Sequence, residues 1–149
     1  MRAGISVILI AGLICGVVDG LSAMGVAVLF GGKPMRVFQR IASGILGPAA
    51  FDRGGTAAAL GVALHFTISL GAAAVYDSAS RALPFLIDHA ILAGILYGIA
   101  VHFFMTFVVI PLSAIGRKPL LPRPFIAILI VHMIVVGPSI SLTVRYFST

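Results

Sequence analysis

Charge is what this sequence has least of. Asp, Glu, Lys and Arg make up only nine per cent of its 149 residues, against sixty per cent hydrophobic. A mean hydropathy of +1.19 excludes a soluble domain of ordinary polarity. Cysteine is down to one residue, Cys15, which rules out an intrachain disulfide or a Cys-based zinc site and leaves Cys15 as a packing residue. Also missing are the H-E-x-x-H spacing, a Ser/His/Asp or Cys/His nucleophile set, a phosphate-cradling glycine loop and paired catalytic carboxylates, so no enzyme is expected. Acidic residues number four against ten basic ones, a net charge of +6. A basic excess often signals nucleic acid. Here the charges fall in the breaks between apolar runs, with no basic stripe carrying interleaved aromatics, so nucleic-acid binding is not expected.

What is present is four long apolar runs, at about 4–30, 55–76, 89–115 and 125–147. Each exceeds the roughly 20 residues a helix needs to cross the hydrocarbon core. The expectation is an all-α membrane protein in one domain, a bundle of four transmembrane helices. The first run follows Arg2 as a signal peptide would, but its apolar stretch is too long for an ordinary h-region and no clean A-x-A site follows, so it is expected to be retained. Lys33, Arg36, Arg40 and Arg53 lie between spans one and two, and Arg117, Lys118 and Arg123 between spans three and four. The remaining ends hold Arg2, Arg81 and Arg145. The positive-inside bias then places both termini on the non-cytoplasmic side.

Between spans one and two, residues 34, 38, 41 and 45 recur at helical spacing after Pro34, with Arg36 and Arg40 four apart on another face. This predicts a short amphipathic interfacial helix over 34–46, its arginines attracted to anionic headgroups by about 1 kcal/mol each. Gly12, Gly16 and Gly20 form one glycine face on span one, and Gly94 and Gly98 repeat the device on span three, which makes these two spans candidates for tight contact. Such glycine faces also suit a homo-oligomer or a larger membrane complex. Pro111 and Gly137-Pro138 are expected to bend or end spans three and four.

Function is sought in the polar residues that the spans carry. Asp19, His65, His102 and His132 each sit inside a different apolar run. Ionisable groups are costly in hydrocarbon and tend to face a bundle interior, so four at similar depth predict one shared polar centre. A hexapeptide echo, Gly61 to Phe66 against Gly98 to Phe103, suggests that His65 and His102 face each other near the midplane. Several uses of this centre stay open. His65, His102 and His132 are candidate metal ligands. A b-type haem between two histidines, packed by Phe66, Phe103, Phe104 and Phe107, is another. A proton or ion pathway is a third. The favoured reading is structural: neutral histidines bonding helix to helix, with Ser22, Thr67, Ser69 or Thr106 as partners, at ~0.6 kcal/mol per bond. No cofactor is expected. Asp77, Arg81, Asp88 and His89 are read as solvated flanks, and Tyr76, Tyr97 and Tyr146 as interface anchors.

From span two onward, the order His65-Phe66, Tyr76, Leu83-Pro84, Gly94, Gly98, Val101-His102, Pro111-Leu112, Gly116, Pro119 and His132 resembles the YagU-like family of bacterial inner-membrane proteins, over roughly residues 60–145. The resemblance implies a bacterial inner-membrane location, no particular reaction and a loose link to acid tolerance. It also implies that the three histidines form one set. The chain lacks the long polar insert after span one and the charged C-terminal tail of that family.

Overall fold

A computed structural model describes residues 4–117 and 119–148, and among these all regular structure is helical. The spans are α1 (Gly4–Leu29), α3 (Gly54–Ala82), α5 (Ala90–Leu112) and α6 (Pro122–Tyr146), with the short helices α2 (Pro34–Leu46) and α4 (Phe85–Asp88) between them. All four spans are long and apolar enough to cross a membrane, which makes this a multi-pass membrane protein. At 23 to 29 residues each they run about 35 to 44 Å, more than the hydrocarbon core of about 30 Å. On α1, Leu9, Leu13, Val17 and Leu21 repeat every fourth residue and stay exposed, as a lipid-facing stripe should.

Glycine sets the packing. A Cβ on Gly12 would strike the backbone of Leu70, one on Gly16 the ring of Phe66, and one on Gly20 would crowd His65, so α1 lies antiparallel on α3. On the other side of the bundle, Gly94 meets Pro138 and Ser141 and Gly98 meets the carbonyl of His132, which seats α5 antiparallel on α6. The glycine faces of spans one and three therefore meet spans two and four rather than each other. α6 also touches α1, closing the bundle. Tyr97 adds a cross-tie by donating from its hydroxyl to the Ala72 carbonyl at 2.8 Å. Tyr97→Phe is expected to cost about 1 kcal/mol, the net worth of one hydrogen bond; an unchanged unfolding midpoint in detergent would show the tie to be idle.

Pro111 stands one residue before the end of α5 at Leu112, as expected, whereas Pro138 lies inside α6 and does not end it. α5 contains a π turn at Met105–Val109 and α6 one at His132–Val136, each separated by a single residue from Pro111 or Pro138. Proline lacks an N–H and its ring collides with the carbonyl four residues back. Widening the preceding turn removes that collision and lets the helix continue.

α2 forms where expected, from Pro34 to a stop at Gly47, whose φ of 61° suits glycine. Of the apolar stripe 34, 38, 41 and 45, Phe38 turns inward onto His65 and Ile41 is half-buried, but none is fully buried. Gln39, Ala42 and Ser43 are buried instead, while Ile45 is exposed. Gly61 explains this, because the Phe38 carbonyl rests where a Cβ would be and only a small-residue face can come so near. Gln39 then donates from Nε2 to the Gly54 carbonyl at 3.0 Å. Arg36 and Arg40 remain exposed on one flank of α2, with Ile41 and Ile45 on the other. The segment after α5 joins the same end of the bundle through Ala114 N–H donating to the Gly44 carbonyl at 2.9 Å.

α3 runs six residues beyond the expected 76, and this corrects the reading of its end. Tyr76 and Asp77 are each only 1% exposed, not an interface anchor and a solvated flank. The Tyr76 hydroxyl donates to the Leu86 carbonyl, and Asp77 is paired with Arg81 one turn on. Leu83-Pro84 ends the helix. Lys118 and Arg2, two of the basic residues used for orientation, lie outside the described residues.

Candidate functional site

The four intramembrane polar residues form a line across the bundle rather than a knot. On the α1–α3 side, His65 Nε2 stands 2.9 Å from the Gly16 carbonyl and 4.0 Å from Asp19 Oδ2. A carbonyl only accepts, so Nε2 carries the proton and donates it to Gly16. Asp19 also lies within electrostatic reach of His132 on α6. His132 in turn packs edge-on against His102 of α5, ring centroids 5.0 Å apart. The order across the bundle is His65, Asp19, His132, His102. No family model, curated protein or solved structure matches the chain, so chemistry has to come from this geometry alone.

The two ends of the line differ. Phe38 from α2 and Phe66 of α3 meet the His65 ring edge-on at 5.9 and 5.7 Å, while Gly16 exposes its carbonyl because no side chain covers it. This end is a saturated helix-to-helix tie. At the other end His132 Nδ1 donates to Ile128 O within its own helix at 2.8 Å, and His102 is buried with its Nε2 lacking any partner among the described residues. Phe125 and Phe103 pack edge-on against it, Phe125 the nearer at 4.7 Å, and Phe107 backs both of them.

Several expectations change. His102 faces His132, not His65, because Gly98 draws α5 onto α6 at that depth. Ser22, Thr67 and Ser69 do not bond the histidines; each returns its hydroxyl to the carbonyl four residues back, at Val18, Ala63 and His65. The rings of His65 and His132 use backbone carbonyls instead. Among the described residues no three His, Cys, Asp or Glu groups converge as a metal set, because His65 is tied off to Gly16. The phenylalanines named for a haem are not gathered at one histidine pair: Phe103 packs on His102, while Phe66 packs on His65 and lies against Gly16. Cys15 is buried as expected, its thiol near the Val136 carbonyl at 4.0 Å.

Sequence patterns passed over Phe125, which packs on His102, gave Phe38 a place on the interfacial stripe but not its contact with His65, and read Asp77 as solvated although its i to i+4 spacing to Arg81 signalled the pair.

Proposed function

We propose that the chain is a small accessory protein of a bacterial inner membrane, with a polar centre that ties its helices together. The observation that carries this reading is the His65 bond to Gly16, in which a mid-membrane imidazole gives its N–H to the backbone of the neighbouring span. The Tyr97 tie to Ala72 works the same way. Open surface hollows of about 410 and 430 Å³ sit at the far end of the bundle, near Ser80, Pro84 and Asp88 and near His89 and Arg145, away from His65, His102 and His132. The resemblance to the YagU-like family supports the inner-membrane assignment. Lys33, Arg36, Arg40, Arg53 and Arg117 share one end of the bundle, which supports a cytoplasmic location for that end and both termini outside. There α2 offers Arg36 and Arg40 to anionic headgroups while Ile41 and Ile45 face acyl chains.

A second reading, proton transfer, is favoured by one observation. Among the described residues the Asp19 carboxylate has no lysine or arginine in ion-pair range; its ion-pair partner is His65 at 4.0 Å. The two readings part in one experiment. In detergent, His65→Ala is expected to lower the thermal midpoint by the equivalent of about 1–2 kcal/mol, while wild-type proteoliposomes show no proton flux above empty vesicles. A flux that disappears in Asp19→Asn and His65→Ala would instead establish the second reading and remove the first.

A further inference from the structure

We infer that His102 and His132 form a two-imidazole site for a closed-shell monovalent transition ion, with Cu(I) as the member that fits. This goes beyond the accessory role and does not depend on it.

Four observations converge on this pair. His102 is 4% exposed, and its Nε2 has no partner among the described residues; a buried ring nitrogen left so is uncommon in a folded chain. His132 has its Nδ1–H committed to the Ile128 carbonyl, which orients the ring and leaves the Nε2 lone pair free. Metal-binding histidines are held in the same manner, by a backbone carbonyl on the opposite nitrogen. Metal–nitrogen bonds of about 2 Å on either side put two ring centroids about 6 Å apart. The observed 5.0 Å is within about 1 Å of that span. The π turns at Met105–Val109 and His132–Val136 flank the pair and give the two helices local slack for the rings to part.

Coordination number and charge choose the ion. Among the described residues there is no third His, Cys, Asp or Glu to complete a set, whereas zinc takes four ligands and manganese and magnesium prefer oxygen-rich octahedra. Cu(I) is content with two neutral nitrogens. It brings only a single positive charge into the bundle interior, less than any divalent ion would. Phe103 and Phe125 pack edge-on against His102, which disfavours ions that keep bound water.

The full chain, purified in detergent without added metal, is titrated anaerobically with Cu(I) against a chromophoric Cu(I) chelator. Wild type is expected to take one ion per chain. His102→Leu and His132→Leu each lose that uptake, and His89→Leu, at the outer end of α5, retains it. His102→Met retains it as well, because a thioether is a soft ligand where leucine is none. X-ray absorption of the loaded wild type, which needs no variant to fold, is expected to show nitrogen neighbours and no sulfur. Absence of uptake in wild type, uptake that persists in both leucine variants, equal uptake of Zn(II), or sulfur from Cys15 bound to the copper would each overturn the site. Failure of the accessory reading would appear as proton flux and leave this titration unchanged.

Discussion

Gly98→Ala is expected to unseat α5 from α6 and to destabilise the folded chain by about 3 kcal/mol, the upper end of overpacking costs. The added methyl would land on the carbonyl oxygen of His132. That oxygen belongs to the backbone and cannot rotate aside, so one helix has to move. The neighbouring contact of Gly137 with the Gly94 carbonyl would be pulled open with it, because both belong to the same close approach. Gly71→Ala provides the contrast, since nothing lies within 4 Å of a Cβ there. Alanine is the better helix former by about 1 kcal/mol, and Gly71→Ala is expected to be neutral or stabilising. Reversible unfolding in mixed SDS micelles, followed by circular dichroism, measures both. Values for the two variants within about 0.5 kcal/mol of each other, the scatter of ordinary surface changes, would mean that the α5–α6 contact is not as tight as described.

Arg81→Leu is the second large effect, expected at about 3 kcal/mol. Asp77 is buried, and its Oδ2 receives two N–H bonds from Arg81 at 2.6 and 3.1 Å, while Oδ1 has no hydrogen-bond partner among the described residues. Removing the guanidinium strands a buried carboxylate, for which 3–5 kcal/mol is usual; the lower end applies because the Arg81 side chain is half exposed. The double variant Arg81→Leu with Asp77→Asn is expected to recover most of the loss, since it removes the stranded charge along with its partner. Strict additivity of the two changes in the same unfolding assay would show that the pair is not coupled.

The spans were legible because hydrocarbon demands a run of apolar residues of a certain length, and Gly4–Leu29 or Pro122–Tyr146 satisfy that demand on their own. α2 was legible from Pro34 and its spacing, but not which face it buries. That depended on Gly61, a residue of another helix, offering room for the Phe38 carbonyl. The glycine faces could be read, whereas their partners could not, since Gly12 is equally ready to receive any backbone. Asp19, His65, His102 and His132 were recognisable as costly residues in lipid. Their order across the bundle was not, because it follows from which pairs of spans adjoin. Nor were the bonding partners of the histidines: the Gly16 and Ile128 carbonyls are main-chain atoms and leave no mark in the side-chain pattern. Pro111 marked the end of α5 and Pro138 suggested a break that α6 does not show; the π turns that precede both depend on hydrogen-bond register, which residue identity alone does not specify.

The lie of Asp19 also bears on how the chain is made. Its carboxylate is beside His65 and in reach of His132, yet it leaves the ribosome in the first span, with His132 in the last. At 5–20 residues per second, translation keeps the two apart for roughly ten seconds. Throughout that interval the nascent first span carries an acid into the bilayer without its final neighbours, so its insertion must be shepherded by the translocon or wait for the segment that brings His65.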